Sequence, residues 1–325
     1  MIHTRPTTDG VKAAAKRLEG HVTATPLLPL EWEGNRVWVK AECLQQGGSF
    51  KLRGAANRLL RLSPEERSRG VVAFSSGNHA QGVAIAARRM GIEALIVMPA
   101  DAPAVKREAT VQAGAKIHAY DRATESREEI GARLAREKGA VLVPSFDDVD
   151  VIEGQGSAGI EILAQLGASP DKVLVPCGGG GLSAGIALAL PEAEIVTVEP
   201  EGWDDMARSI AAGEPVPVAE DAPATRCDAL QTKLVSPLTL GALVESGARG
   251  ISVSEAEVER AMAFAARHLR LVVEPGGAVA LAALLAGKAG PVSDRTVVVV
   301  SGGNVDPALY AAIIAGQASG EEKPA

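Results

Sequence analysis

Short apolar runs alternate with longer Ala-rich stretches along most of the chain. The runs are rich in β-branched side chains, which is typical of strands buried on both faces of a sheet. They occupy residues 37–39, 71–74, 95–98, 141–143, 173–175, 195–198 and 296–300. The intervening stretches predict helices over residues 52–62, 79–90, 103–113, 122–138, 155–166, 182–190, 254–269 and 277–287. Repeated strand–helix–strand units predict an α/β protein with doubly wound, mostly parallel sheets.

Composition narrows the class of protein. Of the 325 residues, 46% are hydrophobic and only 3% aromatic, so the core must be built mainly from Ala, Val, Leu and Ile. A net charge of −7 argues against a nucleic-acid partner, which would favour a basic face. The three cysteines are too few and too scattered for a disulfide framework or a zinc site. Residues 213–227, rich in Pro, Ala and acidic side chains, predict an exposed loop.

The sequence shows neither a membrane-spanning segment nor a signal peptide. No apolar run approaches the roughly 20 residues that a membrane span needs. The amino terminus carries Asp9, Lys12 and Lys16 and no apolar segment of a signal peptide. We therefore expect a cytoplasmic protein without a membrane partner.

Polar or glycine-rich turns follow three of the predicted strands. These turns are Ser75–His79, Gly178–Gly181 and Ser301–Asn304. Ligands of open α/β sheets bind at the carboxyl ends of the strands, where such turns lie. The three turns therefore predict one shared crevice.

The run Gly178, Gly179, Gly180 and Gly181 is the first candidate binding site. Four glycines after a strand let backbone N–H groups converge on a ligand, and the following helix adds the positive end of its dipole. This predicts a phosphate site. The spacing Gly179-x-Gly181-x-x-Ala184, with Glu199 twenty positions on, also fits a dinucleotide fingerprint, so a nicotinamide enzyme stays open at this point.

The turn Ser75, Ser76, Gly77, Asn78 and His79 offers two hydroxyls and a carboxamide at the start of a helix. Such residues can simply cap the helix. Alternatively, their N–H and OH groups form a cradle for a substrate carboxylate, with Asn78 placed to bind a ring substituent. His79 fits a packed histidine better than a general base.

Lys51 lies in the segment Gln46–Gly54, between small turn-forming residues and a helix-like stretch. Most lysines are solvated surface residues, so Lys51 alone could have no special role. Ser301 by itself likewise fits an ordinary turn. A buried Ser301 hydroxyl could instead bind a neutral heterocyclic nitrogen. Taken with the other turns, these residues suggest a pyridoxal-phosphate site in which Lys51 is the Schiff-base amine.

An acidic group follows the strand at residues 195–198. Glu199 and Asp205, with the carbonyl of Trp203, could hold a hard divalent ion such as Mg²⁺, Mn²⁺ or Ca²⁺. They could equally form a solvated loop and the start of a helix, where acids suit the helix dipole.

These motifs, in this order, resemble the fold-type II pyridoxal-phosphate enzymes, and within them the serine/threonine dehydratase and serine racemase family. The resemblance runs from about Thr25 to Asp306 and is carried by Ser49-Phe50-Lys51-x-Arg53-Gly54 and Ser76-Gly77-Asn78-His79. It implies a tryptophan synthase β-like α/β fold with two doubly wound parallel-sheet domains. A large domain would comprise residues 1–69 and 147–325, and a small mobile domain residues 70–146. A homodimer is the family expectation.

The resemblance also implies roles for the residues. Lys51 would bind the cofactor covalently and abstract the Cα proton, with Phe50 packing beside the cofactor. Asn78 would bind the ring oxygen and the glycine run the phosphate. Ser301 would face the pyridine nitrogen without holding it protonated, which favours elimination over transamination.

Further roles concern the substrate and the metal. The turn Ser75–His79 would hold the substrate carboxylate, and Arg127 and Thr232 lie near positions that the racemase-like members of the family use for substrate or effector contacts. Glu199, Trp203 and Asp205 match the divalent-metal site of the family.

The implied reaction is β-elimination from a small amino acid, L-serine, L-threonine or a related β-hydroxy amino acid, giving a 2-oxo acid and ammonia. Ser76 keeps a serine or aspartate-type racemase open as an alternative, because two bases on opposite faces of Cα permit racemisation. A nicotinamide oxidoreductase and a non-catalytic binding protein are more distant alternatives. Departures at Gln46-Gly47 and at residues 228–231 leave the substrate side chain open, including β-hydroxyaspartate.

Overall fold

A computed structural model of the protein describes residues 4–102 and 104–316. Ten strands lie within these residues: β1 (Leu27–Trp32), β2 (Asn35–Ala41), β3 (Val71–Phe74), β4 (Ala94–Pro99), β5 (Lys116–Tyr120), β6 (Val141–Leu142), β7 (Lys172–Pro176), β8 (Glu194–Pro200), β9 (Arg249–Val253) and β10 (Thr296–Val300). Every apolar run of the sequence coincides with a strand, except that Val143 lies beyond the end of β6, and this confirms the predicted α/β class.

Two separate sheets are formed. The larger has the order β1-β2-β10-β7-β8-β9, with β1 antiparallel to β2 and the other pairs parallel. The smaller has the order β5-β4-β3-β6 and is parallel throughout. All strands of the small sheet come from within the predicted segment 70–146. The exact domain boundaries and the mobility of that segment stay predictions.

Thirteen α-helices connect the strands in the described part of the chain: α1 (Thr8–Arg17), α2 (Lys51–Leu60), α3 (Pro64–Arg69), α4 (Asn78–Met90), α5 (Ala104–Gln112), α6 (Arg127–Lys138), α7 (Val149–Leu166), α8 (Gly181–Ala189), α9 (Asp205–Ala212), α10 (Pro237–Glu245), α11 (Glu255–Phe264), α12 (Pro275–Leu285) and α13 (Pro307–Ile314). Short 3-10 turns occupy Glu42–Leu44 and Asp228–Leu230, and a π-helical turn, Ala265–Leu269, extends α11.

Helices cover both faces of the large sheet, and the residues of β10 show this. Val297 and Val299 belong to an apolar cluster with α7 and α8, whereas Val298 and Val300 belong to a cluster with α11 and α12. Because successive strand residues point to opposite faces, a strand buried on both sides must be apolar at every position. A third cluster joins α2 and α4 to the small sheet.

Helix starts differ from the sequence expectation where a polar cap decides them. Helix α7 begins at Val149 rather than residue 155, because Asp148 caps it by accepting from the N–H of Val151. Helix α6 begins at Arg127 rather than residue 122, after Ser126 accepts from Glu129 N–H. The predicted loop 213–227 contains neither helix nor strand.

Among the residues that the structure describes, no helix combines the length and the apolar character needed to cross a bilayer.

Candidate active site

The segment before α2 is tied to the loop that follows β10. Phe50 N–H donates to the carbonyl of Ser301 at 3.1 Å, and Gly303 N–H donates to the carbonyl of Gly48 at 2.8 Å. Ser49 and Gly302 form an isolated antiparallel bridge between these bonds. The position of Lys51, the first residue of α2, is therefore fixed by backbone hydrogen bonds to the end of a central strand.

The Lys51 amine is held in a sheltered position. Its Nζ donates to the carbonyl of Ser145 at 3.1 Å and lies 5.0 Å from the centroid of the Phe50 ring. Burial lowers the pKa of Lys51 to about 8, because desolvation of the ammonium outweighs the attraction of the Glu274 carboxylate. An amine with this pKa gives up its proton near neutral pH, as a nucleophile or base requires.

The glycine run forms a tight concave turn between β7 and α8. Gly180 has a φ of 82°, in the left-handed region, and α8 begins at Gly181. A Cβ added at Gly179 would lie 2.4 Å from the Phe146 ring. The turn can therefore adopt this shape only with glycine at these positions. Backbone N–H groups and a helix N-terminus at such a turn suit a phosphate, so the site fits the phosphate of pyridoxal phosphate.

A hydrogen-bonded amide chain connects the start of α4 to the loop after β10. Asn304 Nδ2 donates to Asn78 Oδ1 at 2.8 Å and to the carbonyl of Gly47 at 2.7 Å. Asn78 Nδ2 in turn donates to Glu274 Oε1 at 2.6 Å. A Cβ at Gly48 would lie 2.3 Å from Asn304 Oδ1, so this close approach requires a glycine.

Sequence reasoning did not single out Glu274 or give Asn304 a role. Glu274 is buried, and burial raises its pKa to about 8, opposed by the hydrogen bond from Asn78 and the positive charge of Lys106 and Lys51. The available signal was a glutamate directly before Pro275 at the start of an apolar helix, where capping alone would favour Ser, Thr, Asp or Asn.

The turn after β3 lies beside this amide chain. Ser75, Ser76 and Gly77 are half-buried, and Gly77 N–H donates to Ser75 Oγ at 3.1 Å. His79 is buried with its Nε2 2.8 Å from the carbonyl of Val143. Burial lowers the pKa of His79 to about 3, assisted by the charge of Lys51, so the ring is neutral and suits a packing role.

Ser301 directly follows β10, a central strand of the large sheet. It is 5% exposed, its N–H donates to the carbonyl of Gly277 at 3.3 Å, and its own carbonyl accepts from Phe50. A neutral hydroxyl thus lies one residue from the bridge that holds the Lys51 segment. Of the two weaker candidates, Thr232 Oγ1 lies 3.1 Å from a Cβ built on Gly178, and the Arg127 guanidinium lies 5.9 Å from the Phe74 ring centroid.

The acidic candidates lie directly behind the glycine run. Both carboxylate oxygens of Glu199 accept backbone N–H groups, from Met206 at 2.9 Å and Ala207 at 2.8 Å. The Met206 side chain would contact a Cβ on Gly180 at 2.4 Å. A Glu199 carboxylate that is buried and already bonded in this way is poorly placed to bind a ribose hydroxyl, which counts against the dinucleotide alternative.

Asp205 adds a second buried carboxylate there. Neither of its oxygens has a hydrogen-bond partner among the described residues. Burial raises the pKa of Asp205 to about 7 and, with the charge of Asp205, raises the pKa of Glu199 well above its usual range. No cluster of three or more His, Cys, Asp or Glu with metal-site geometry occurs within residues 4–102 and 104–316. A cation here would need backbone ligands such as the Trp203 carbonyl.

Comparison with known families accounts for the arrangement around Lys51. The family model described as "Pyridoxal-phosphate dependent enzyme" matches residues 18–303. The chain belongs to this family. The match covers the Lys51 segment, the turn after β3, the glycine run and Ser301, so the cofactor implied by these motifs is pyridoxal phosphate.

Relatives in the family include lyases and racemases. An L-threo-3-hydroxyaspartate ammonia-lyase from a Pseudomonas species is 44% identical over 93% of this chain and 97% of its own. A serine racemase from Schizosaccharomyces pombe is 37% identical over 94% of this chain and 96% of its own. Among solved structures, maize serine racemase has a TM-score of 0.89 at 36% identity, covering 96% of this chain and 98% of its own. The predicted fold type II is thereby confirmed.

Proposed function

We propose that the protein is a pyridoxal-phosphate-dependent ammonia-lyase that eliminates the β-hydroxyl group of a small β-hydroxy amino acid. The products would be a 2-oxo acid and ammonia. The observation that carries the proposal is the sheltered Lys51 amine with a pKa of about 8, anchored to the Ser301 loop in a chain of this family. L-threo-3-hydroxyaspartate and L-serine are the amino acids to which the named relatives point. L-threonine is the further β-hydroxy amino acid that the resemblance implies.

Bound pyridoxal phosphate would supply an electron-withdrawing ring that makes the substrate Cα–H acidic. Lys51 Nζ would hold the cofactor covalently and then take the Cα proton. Asn78 would orient the ring oxygen, and Glu274 would fix the Asn78 carboxamide through their 2.6 Å hydrogen bond. Ser301, as a neutral hydroxyl, would leave the ring nitrogen unprotonated, which favours rapid loss of the β-hydroxyl group.

The test is a visible spectrum of the purified protein followed by turnover. A lysine joined to the cofactor absorbs visible light, so we expect a yellow protein. L-serine, L-threonine and L-threo-3-hydroxyaspartate are added separately, and 2-oxo acid and D-amino acid are measured. A protein that stays colourless with added pyridoxal phosphate, or that makes no 2-oxo acid from any of the three, contradicts the proposal.

Racemisation is the second candidate, and a specific residue favours it. Ser76 is a half-buried hydroxyl in the turn after β3, and the chain has serine racemases among its relatives. A base on the face of Cα opposite to Lys51 would return the proton there. For Ser76→Ala we expect D-amino acid formation to be lost while elimination of L-serine survives. Equal loss of both activities would assign Ser76 to folding or to a shared step.

We further propose a divalent cation, such as Mg²⁺, at Glu199, Asp205 and the Trp203 carbonyl. The support is the buried Asp205 carboxyl group, whose oxygens have no hydrogen-bond partner among the described residues and which lies beside Glu199, because two close buried acids repel each other unless one takes up a proton or a cation neutralises them. Exhaustive chelation should lower the melting temperature, and Mg²⁺ should restore it. Asp205→Asn should abolish that response. An unchanged melting temperature after chelation would return these acids to a purely structural role.

The proposal also includes a mobile small domain and a homodimer. By analogy with the family, residues 70–146 would move as a small domain that closes over the substrate, and two chains would form a homodimer. Sedimentation of the purified protein tests the second point.

A further inference from the structure

An ion pair beside the candidate active site connects the part of the chain around the small sheet to the part around the large sheet. The Lys106 ammonium, in the first turn of α5 next to the small sheet, pairs with the carboxylate of Asp228 in the 3-10 turn Asp228–Leu230. The mechanism outlined above uses neither residue.

The turn that carries Asp228 packs against the cofactor-binding elements. Leu230 Cα lies 3.1 Å from a Cβ built on Gly178, the first glycine of the proposed phosphate site, and Leu230 Cγ lies 3.2 Å from a Cβ built on Gly276 in α12. The charges of both Asp228 and Lys106 also act on the pKa of the Glu274 carboxyl group. The turn that carries Asp228 therefore lies beside the candidate site, and the ion pair brings the Lys106 ammonium to this turn.

The pair is suited to exchange its anion. The Lys106 side chain is 29% exposed and that of Asp228 is 53% exposed. Ion pairs with this much solvent exposure contribute little to stability. A substrate carboxylate that displaces the half-exposed Asp228 side chain into solvent leaves Lys106 with one carboxylate partner, so such an exchange has a small electrostatic cost.

We propose that Lys106 receives the β-carboxylate of a dianionic substrate, in exchange for Asp228. This inference rests on the proposed ammonia-lyase function and selects β-hydroxy dicarboxylic amino acids, such as 3-hydroxyaspartate, as the preferred substrates. The turn after β3 is assigned to the α-carboxylate, so a second carboxylate needs a second cation. Lys51 is committed to the cofactor, whereas the Lys106 ammonium is held beside the site by Asp228, whose turn packs against Gly178 and Gly276.

Arg127 is the competing cation and is less well placed. Its side chain is 47% exposed, its Nε pairs with the neighbouring Glu128 at 2.8 Å, and its guanidinium lies against the Phe74 ring. Lys106, in contrast, pairs with a turn that itself packs against the first glycine of the proposed phosphate site.

The first measurement is calorimetric binding of two unreactive four-carbon acids, succinate and butyrate, to the holoenzyme. Succinate carries two carboxylates and butyrate one. Lys106→Gln should weaken succinate binding by about 10- to 100-fold, the range for losing one charge-assisted hydrogen bond, and should leave butyrate binding unchanged. Lys106→Arg should restore most of the loss. Lys116→Gln, which removes an exposed lysine of β5 paired with Glu93, is the matched control and should change neither value.

The Asp228→Asn variant distinguishes two roles for Lys106. Lys106 could bind the substrate carboxylate, or its ion pair with Asp228 could only hold the parts of the chain around the two sheets together. If Asp228 competes with the substrate for Lys106, its neutralisation should tighten succinate binding. If the pair merely holds the cleft closed, Asp228→Asn and Lys106→Gln should weaken binding alike, and this result would overturn the proposal.

Turnover gives the second measurement. The ratio of kcat/KM for L-threo-3-hydroxyaspartate to that for L-serine should fall by about 10- to 100-fold in Lys106→Gln. An unchanged ratio refutes the role of Lys106 and leaves the lyase function standing, as does a wild-type enzyme that uses L-serine but not hydroxyaspartate. If the wild-type protein makes 2-oxo acid from none of the substrates, the lyase function itself fails, and succinate binding still decides the role of Lys106.

Discussion

Replacing Arg53 by methionine should destabilise the protein strongly, although the Arg53 side chain hydrogen-bonds none of the predicted cofactor-binding residues and is shielded from solvent. The Arg53 side chain is fully buried and donates to Glu42 at 2.7 and 2.8 Å and to Glu161 at 2.6 and 2.8 Å. Methionine fills similar space without charge. The substitution would leave Glu42 buried with the Thr25 hydroxyl as a remaining partner, while Glu161 keeps the Lys40 ammonium at 2.6 Å.

The expected loss is about 3–5 kcal/mol of unfolding free energy, the range for removing one partner of a buried ion pair. Most of it should come from Glu42, because the Glu161 side chain is 19% exposed and retains a cation. Burial alone would raise the pKa of Glu42, but Arg53, with smaller contributions from Lys40 and Thr25, outweighs burial and holds this pKa below its usual value. Without Arg53 the pKa should rise, so the folded variant would bind more protons than its unfolded chain above the usual glutamate pKa. The stability loss should therefore be larger at pH 8 than at pH 5.

Urea unfolding of the cofactor-free protein at both pH values measures the effect. Arg295→Met is the matched control, since Arg295 pairs with Asp171 at the surface with half of its side chain exposed, and we expect a loss of at most about 1 kcal/mol. Adding Glu42→Gln to Arg53→Met should recover part of the stability by removing the unpaired charge. A loss for Arg53→Met no larger than that of the control, or one independent of pH, would refute the reasoning.

Three further predictions concern the site itself. Lys51→Ala should abolish both the visible absorbance and 2-oxo acid production, and turnover that persists would contradict the assigned mechanism. Glu274→Gln should flatten the pH dependence of unfolding. Because the pKa of Glu274 is raised to about 8, the free energy of unfolding of the wild-type protein should fall between about pH 4.5 and 8, by up to about 1.4 kcal/mol per pH unit. If this free energy changes equally with pH in the wild type and in Glu274→Gln, the raised pKa of Glu274 is excluded. Gly179→Ala should weaken pyridoxal-phosphate binding at least about tenfold, because its Cβ would meet Phe146 at 2.4 Å. In a fluorescence titration, Gly241→Ala, which has open space, serves as the control.

The sequence by itself determined the class of fold and most of the central strands. Strands buried on both faces must be apolar at each position, so the runs in β2, β7, β8 and β10 stand out along the chain. The three strands that the pattern did not reveal, β1, β5 and β9, all lie at sheet edges. An edge strand can be half-exposed and can contain residues such as Pro29 in β1, so its sequence lacks a continuous apolar run.

For the site, the sequence identified the segments and the tertiary structure decided how they meet. The motifs around Lys51, Asn78, the glycine run and Ser301 are local, because each needs special backbone geometry that small residues provide. Glu274 is different: its 2.6 Å hydrogen bond to Asn78 spans 196 positions of the chain, and its raised pKa comes from burial by the surrounding fold. The Lys106–Asp228 pair likewise joins elements of the two separate sheets. Such contacts depend on how the sheets and helices pack, and packing between distant elements leaves no periodic trace in the sequence.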